Sequence, residues 1–473
     1  MSQPKKDAAD LYEKSLEEIR SVYLADERPW VIGFSGGKDS TVALQLVWYA
    51  LRGLKPDQRR KPVYVISGDT QVETPVIIDY LTEALDCINE HAKAEGLPIS
   101  AHKVTPSLDE SFWVNLIGKG YPAPSSRFRW CTARMKISPA NRFILDRVAD
   151  HGEVVLLLGV RRQESATRAQ VMNLRRIENS LLSRHSTLPN AFVYTPIRDY
   201  SVDDVWKYLL QVPNPWGRDN NDLLALYRNS SAAGECPLVV DTTTPSCGSS
   251  RFGCWVCTVV TKDKAMEAMV DNGDEWLEPL LELRDYLADT QRPKRKAEVR
   301  QHIRKNGGVM RKEYGDKDDP FVRGPYTLDF CREVLTRLLT AERQVRELAP
   351  DDQLVELISL DELREIRRIW RYERHDWQDS LPAIVKEATG SELDLPLDDQ
   401  VFLDGEDEAL LAELAVEHDV PLGLVKQLID TERDLQGLRR RSQIMSRIEA
   451  ALSQEWRGEE EIAEEIEAAE AAA

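Results

Sequence analysis

The stretch Val31-Ile32-Gly33-Phe34-Ser35-Gly36-Gly37-Lys38-Asp39-Ser40-Thr41-Val42 decides how this chain is organised. It reads as an apolar strand, a glycine turn, and the opening of an amphipathic helix expected over residues 40–52. Adjacent glycines let the backbone turn tightly and bring its N–H groups close to an anion. The following helix directs the positive end of its dipole at the same point. Lys38 adds a full charge, and Asp39 suits a magnesium ion bridging phosphates. The stretch therefore predicts a phosphate site. It is not the longer nucleotide loop that closes on Gly-Lys-[Ser/Thr], because the second glycine of that loop and its spacing are absent. A chance glycine turn is the bland alternative, and the strand before it and helix after it argue against that.

Working outward, apolar periodicity predicts helices over residues 8–24, 74–94, 139–149 and 202–210. Strands are expected at 30–34, 63–67, 99–104 and 154–159. Short apolar strands alternating with helices imply an α/β fold, a parallel twisted sheet with helices on both faces. In such sheets ligands sit at the carboxyl ends of the strands, where residues 35–40 and 69–73 would both lie. The pattern breaks after residue 210. Residues 212–257 are rich in Pro, Gly, Asn, Ser and Thr and hold Cys236, Cys247, Cys254 and Cys257. From residue 264 onward the chain reads as mostly helical, with a turn at Gly307-Gly308 and loops at 390–397 and around Pro421. The expected division is a nucleotide domain (1–235), a cysteine-rich segment (236–260), a basic connecting region (261–330), a helical C-terminal domain (331–457) and an acidic tail (458–473), the last a frayed helix or solvated segment.

Composition is that of a globular chain: 473 residues, 42% hydrophobic and 30% charged. The longest apolar run, at residues 154–159, is far too short to span a bilayer, so no membrane partner is expected. The N-terminus enters a charged helix without the apolar core of a signal peptide, and a cytoplasmic location is expected. Seven cysteines in a reducing compartment point to metal or thiol chemistry rather than disulfides. The net charge of −19 is unevenly spread. Residues 459–470 carry seven glutamates and no base, whereas residues 292–312 carry nine Lys/Arg against one Glu. Such a local basic patch can bind phosphates despite an acidic total. The bland reading is a solvated face paired with the acidic C-terminal half.

Four further segments place charge where a nucleotide and an oxyanion need it. They are Ser67-Gly68-Asp69-Thr70-Gln71-Val72-Glu73-Thr74-Pro75, Arg129-Trp130-Cys131-Thr132-Ala133-Arg134-Met135-Lys136, Gly159-Val160-Arg161-Arg162-Gln163-Glu164-Ser165-Ala166-Thr167-Arg168, and Pro196-Ile197-Arg198-Asp199-Tyr200-Ser201-Val202-Asp203-Asp204-Val205-Trp206. Any one alone would be ordinary surface ion pairing. Guanidinium groups suit phosphate or sulfate because they donate two hydrogen bonds at fixed geometry. The third signal is the spacing C-x10-C-x6-C-x2-C of Cys236, Cys247, Cys254 and Cys257, set among turn formers. Four thiolates converging from loops hold an iron–sulfur cluster or a structural zinc; the spacing does not decide between them, and sulfur chemistry favours [4Fe–4S] over zinc. Cys87 and Cys331 fall inside predicted helices and read as small hydrophobes. Cys131 lies beside Arg129, Arg134 and Lys136, which would favour its thiolate and a persulfide role. The alternative is a cysteine that packs beneath the pocket.

The Ser-Gly-Gly-x-Asp-Ser string resembles the PP-loop of the ATP pyrophosphatase superfamily, the adenine nucleotide α-hydrolase-like fold. The segments behind it resemble the adenylyl-sulfate (PAPS) reductase branch. As that resemblance implies, Ser35, Gly36, Gly37, Lys38, Asp39 and Ser40 hold the triphosphate of ATP with Mg²⁺, Asp69 and Glu73 lie near the nucleotide, and Lys136, Arg161 and Arg168 line the anion pocket. The terminal redox cysteine of the reductases is not found, which disfavours reduction of activated sulfate. With the four-cysteine spacing and the helical extension, the chain resembles the DndC family of bacterial DNA phosphorothioation, over about residues 10–260; the equivalent SspD group of the Ssp system is not separated from it. The family implies ATP cleavage to AMP and pyrophosphate, an iron–sulfur cluster, DNA as substrate, a cysteine desulfurase as sulfur donor, and other Dnd or Ssp proteins as partners. The competing readings are a PAPS reductase-like enzyme, a tRNA thiolase, and a non-catalytic subunit that binds ATP and a cluster.

Overall fold

A computed structural model describes residues 8–164, 170, 175, 177, 180–230, 253–312, 319–350, 353, 355–392, 403–435 and 443–471. The chain divides into two compact units. The first comprises Met1–Ser111, Ser126–Leu281 and Ala349–Leu354, the second Phe112–Ser125, Glu282–Leu348 and Val355–Ala473. These limits do not follow the expected compositional boundaries. Phe112–Ser125 leaves the nucleotide-binding half to join the second unit, and no change of composition marks it.

In the first unit the order is α1 (Ala8–Leu24), β1 (Trp30–Gly33), α2 (Lys38–Arg52), β2 (Val63–Gly68), α3 (Pro75–Ala94) and β3 (Ile99–Val104). Then follow α4 (Ser138–His151), β4 (Val154–Leu157), β5 (Ser183–Arg184), β6 (Ala191–Tyr194), α5 (Val202–Gln211), α6 (Asn220–Ser230) and α7 (Lys264–Asp271). The six strands form one sheet in the order β3-β2-β1-β4-β6-β5. All pairings are parallel except the short edge pair β5–β6. The parallel α/β architecture expected from the strand–helix alternation is thus present. The sheet's last two strands carry too little apolar repetition to be recognised in isolation, and the pairing of β6 with β4 is what makes them strands.

Trp30-Val31-Ile32-Gly33 and Val154-Val155-Leu156-Leu157 are buried throughout, as strands covered on both faces must be. α2 departs from the amphipathic expectation: every residue except Tyr49 and Arg52 is buried. It lies under α1 and α5, and its buried Gln45 donates from Nε2 to Asn220 Oδ1 at 2.9 Å. α3 opens with Pro75 at its first turn, and α5 with a Ser201–Asp204 capping box. Chain order runs outward from β1 to β2 and β3, then resumes at β4 on the other side of β1. The crevice between the carboxyl ends of β1 and β4 is therefore the sheet's switch point.

The second unit is built from α8 (Glu278–Asp289), α9 (Pro293–Val299), α10 (Leu328–Leu348), α11 (Leu360–Glu373), α12 (Ser380–Thr389), α13 (Gly405–Glu417), α14 (Leu422–Leu435), α15 (Ile444–Leu452) and α16 (Glu459–Ala471). Its inserted segment is held by indole hydrogen bonds: Trp113 donates to the Leu357 carbonyl at 2.7 Å, and Trp370 to that of Ile117 at 2.9 Å. Cys331 is buried, with Arg374 Nη1 3.0 Å from its sulfur. Cys87, on α3, is half-buried against the core of the first unit. Among the described residues no helix is long and apolar enough to cross a membrane.

Candidate functional site

The loop after β1 takes the shape its glycines permit. Gly36 has φ +69°, and a Cβ there would lie 2.7 Å from Leu81 Cδ2. Gly37 is the N-cap of α2 and offers no side chain to the amides of the first turn. Hydroxyl groups line this loop. The Gly37 N–H donates to Ser35 Oγ at 3.3 Å, the Ser35 N–H to Ser40 Oγ at 3.2 Å, and the Lys38 N–H to the Tyr227 hydroxyl at 3.2 Å. Lys38 Nζ also stands 5.1 Å from the centre of the Tyr227 ring. Sequence reasoning did not single out Tyr227. It arrives from α6, and only the packing of α6 beneath the loop reveals it.

At the switch point Asp39 is clamped. Arg161, just beyond β4, donates from Nε to Asp39 Oδ1 at 2.6 Å, and Lys38 Nζ lies 3.1 Å from Oδ2. All three residues are buried. Arg161 thus reaches the loop directly, bonded to a carboxylate. Gly159 is what lets the two segments approach: a Cβ at that position would be 2.8 Å from the backbone carbon and oxygen of Asp39 and the nitrogen of Ser40. A glycine closing a strand just before a predicted anion-binding arginine was the available signal. Arg168, assigned with Arg161 to the anion pocket, lies outside the described residues, as do Cys236 and Cys247.

A second cluster forms beyond β2. Asp69 Oδ1 accepts the Gln71 N–H at 2.8 Å, a turn that holds Gln71 at φ +63°. Lys103 Nζ is 3.5 Å from the other Asp69 oxygen. The turn directs Glu73 inward, where its carboxylate accepts the Thr70 hydroxyl at 2.6 Å and the Thr70 N–H at 2.9 Å. Burial and the neighbouring Asp69 charge push the Glu73 carboxyl up to about 7, against the pull of the Thr70 hydrogen bond and of Lys136. Glu73 forms an antiparallel bridge with Cys254, and the Trp255 N–H donates to the Val72 carbonyl at 2.9 Å. Cys254 Sγ lies 3.3 Å from Thr70 Oγ1. Because that hydroxyl donates to Glu73, the thiol is the donor to Thr70.

Cys254 and Cys257 share one turn, closed by the Cys257 N–H on the Cys254 carbonyl at 3.1 Å. Burial raises the Cys254 thiol to about 12, with Lys136 opposing and Glu73 adding to the rise. Cys131 sits at the start of the π-helical turn Thr132–Ile137. The expectation that its basic neighbours favour the thiolate is overturned. Burial, then the negative charge of Cys257, raises its pKa, and Lys136 offsets only part. Lys136 acts on Glu73, Cys131 and Cys254 alike.

Among the described residues no three His, Cys, Asp or Glu side chains stand in metal-binding geometry. The soft donors fit an iron–sulfur or zinc ion in kind: Cys254 and Cys257 are adjacent on a turn, with Cys131 in electrostatic reach. Metal binding would have to displace their protons.

Residues 29–259 match the model of the phosphoadenosine phosphosulfate reductase domain. The matched stretch spans β1 to the Cys254–Cys257 turn and so takes in both clusters. Uncharacterized protein MJ0066 of Methanocaldococcus jannaschii is 29% identical over 210 residues, 44% of this chain and 37% of that protein. The chain thus matches little more than a third of that relative's length. Similar solved structures include the U34-tRNA thiolase NcsA of Methanococcus maripaludis with its [4Fe-4S] cluster, at 14% identity and TM-score 0.28 over 47% of this chain and 73% of that one. The NH3-dependent NAD synthetase of Campylobacter jejuni is 12% identical with TM-score 0.28, over 61% of this chain and 95% of that one.

Proposed function

We propose that the protein uses ATP to adenylate a backbone phosphate oxygen of DNA, releasing pyrophosphate, so that sulfur can replace that oxygen. The observation that carries this reading is the Asp39 clamp at the switch point, in a hydroxyl-lined glycine loop at the N-terminus of α2. A phosphodiester oxygen is a poor leaving group. Attack of that oxygen on the α-phosphorus of ATP expels pyrophosphate and leaves the oxygen as part of AMP, a good leaving group. Sulfide then attacks the DNA phosphorus and AMP departs, with no net change of oxidation state.

In this reading Lys38 turns from Asp39 to the β- and γ-phosphates when ATP binds. Asp39 Oδ2 then becomes available to Mg²⁺, while Arg161 keeps the carboxylate in place. Ser35, Gly36, Gly37 and Ser40 hold the departing pyrophosphate. Asp69 and Glu73 flank the nucleotide, and Lys136, with Arg161 and Arg168, balances the charge of the activated intermediate. Cys254 and Cys257, with Cys236 and Cys247, would hold an iron–sulfur cluster, or zinc as the alternative. Such a cluster, when bound, supplies sulfur at the oxidation level of sulfide. Cys131 is the alternative carrier: as a persulfide charged by a cysteine desulfurase, its outer sulfur would attack the DNA phosphorus and expel AMP, and a second thiol would then free the DNA sulfur by forming a disulfide with Cys131. Other Dnd or Ssp proteins would complete the system.

The test is pyrophosphate release from ATP in the presence of duplex DNA and sulfide, with protein purified without oxygen and assayed for iron, sulfide and zinc. Lys38→Ala should lower release by at least about a hundredfold; release at the wild-type rate would sink the assignment. The match to the reductase domain favours a second reading, attack of a thiol on adenylyl sulfate to expel AMP and form an S-sulfonated thiol, from which a second thiol would release sulfite by forming a disulfide, without consuming ATP. A non-catalytic subunit would bind ATP and release no pyrophosphate.

A further inference from the structure

The basic segment noted in the sequence belongs to the second unit: residues 293–299 are helix α9, and from Arg300 the chain forms an antiparallel ribbon. Arg300 pairs with Tyr326, Ile303 with Val309, and Arg311 with Phe321. The ribbon turns at Gly307, which has φ +78°. Its cations fall into two classes. Arg300, Lys312 and Arg323 serve the protein: Arg300 Nε donates to the Gly324 carbonyl at 2.6 Å, Lys312 Nζ to Asp319 Oδ2 at 3.1 Å, and Arg323 Nε to Asp319 Oδ1 at 2.9 Å. Arg292, Lys294, Arg304, Lys305 and Arg311 are exposed, with Arg292 also paired to Asp289 at 2.9 Å and Lys305 Nζ 5.2 Å from the centre of the Tyr121 ring.

The most acidic helix of the chain is seated on this ribbon. Glu459, the first residue of α16, receives both terminal nitrogens of Arg323 at 2.6 and 2.5 Å. The approach to the helix is fixed as well. The Glu455 N–H donates to the Gly307 carbonyl at 2.9 Å, and His302 Nε2 lies 3.2 Å from the Arg457 carbonyl. A Cβ on residue 307 would lie 2.5 Å from the Gln454 side chain. The tail is therefore a helix tied to the ribbon at its first residue and the segment before it, with Ile462 buried and Glu460, Glu461, Glu464 and Glu465 exposed to solvent. From 459 to 470 it carries seven glutamates and no Lys or Arg.

We propose that the exposed cations of residues 292–311 bind a nucleic-acid backbone, and that helix α16 is an internal competitor which keeps the ribbon closed to it until displaced. A run of carboxylates beside a basic surface lowers the local potential on which backbone binding depends. Its attachment is local: Ile462 is buried, Glu459 is 42% exposed, and Arg323 keeps Asp319 as a partner when the helix leaves, so a longer polyanion can exchange with it. Because the competitor is part of the same chain, its effective concentration is high, and the full protein should bind DNA poorly until the helix leaves. The inference rests on the nucleic-acid half of the proposed function and not on adenylation.

Fluorescence anisotropy of a short fluorescein-labelled duplex DNA, titrated at several salt concentrations without ATP, tests it. Two variants are needed: a chain ending at Arg457, and Glu460→Gln/Glu461→Gln/Glu464→Gln in the full chain, which retains the Glu459 and Glu465 contacts. Both should bind at least about tenfold more tightly than wild type at low salt, with a steeper fall as salt rises. Adding Arg304→Glu, Lys305→Glu and Arg311→Glu to the glutamine variant should abolish the gain. Equal affinity and salt slope in wild type and the glutamine variant would overturn the proposal, as would a gain that survives the ribbon reversals. Loss of this effect beside intact DNA-dependent pyrophosphate release would leave the adenylation reading standing; the reverse result would leave the ribbon standing.

Discussion

At Asp39 both carboxylate oxygens already face cations, so a metal ion must displace one of them. Replacing the carboxylate strands two buried positive charges. Asp39→Asn should cost about 3 kcal/mol in urea denaturation, and the double variant Asp39→Asn/Arg161→Met should recover part of that. Additive losses in the cycle would show that the 2.6 Å pair contributes nothing specific. Gly159 acts through the space it leaves. Gly159→Ala should weaken ATP binding by about tenfold or more in calorimetry, at a stability cost of about 1–3 kcal/mol, because a methyl group there meets backbone that cannot rotate away. Unchanged ATP affinity would mean the loop has slack that the 2.8 Å approach denies.

Among the elements, the edge pair β5–β6 carries a pH dependence. His185 follows β5, and its Nδ1 accepts the N–H groups of Thr187 and Leu188 at 3.2 and 3.1 Å, which requires that nitrogen unprotonated. Burial, then the charge of Arg175, pushes the imidazole down to about 4 from 6.5. The unfolded chain binds this proton more readily, so the stabilisation is complete above pH 6.5 and is lost as pH falls through 4. Partial exposure reduces the effect to about 1–2 kcal/mol. His185→Asn, whose amide oxygen can accept the same N–H groups, should flatten the acid limb of thermal stability between pH 7 and 4; an unchanged limb would place the dependence elsewhere. The elements themselves were largely legible. α1, α3, β2 and β3 fall within a residue of the expected limits because each has a clean apolar period and a Pro, Gly or charged boundary. β6 has four residues and β5 two, too few for a period to show.

For the whole molecule, the division into units has a direct consequence. Residues 112–125 carry Phe112, Trp113, Leu116 and Ile117, all buried within the second unit. A fragment of residues 1–281 leaves them without partners and should aggregate in size-exclusion chromatography, whereas the same fragment with 112–125 replaced by a short Gly/Ser linker should elute as a soluble species. A soluble unmodified fragment would show that the insertion is covered without the C-terminal helices. The net charge of −19 likewise has structure within it: the acidic helix and the basic ribbon, far apart in sequence, meet through Glu459 and Arg323.

By itself the sequence determined the parallel α/β sheet, the glycine loop between β1 and α2, and the two segments that flank it, because apolar period, glycine turns and helix starts are local properties of a few consecutive residues. Tertiary structure alone decided the rest. Tyr227 under the loop, Gly159 against the Asp39 backbone, the shared charge of Lys136, and the rise rather than fall of the Cys131 pKa depend on which distant segments pack together and how much water they exclude. The charge on a thiol is set by that exclusion as much as by the cations written beside it in the chain, and exclusion is not a local property.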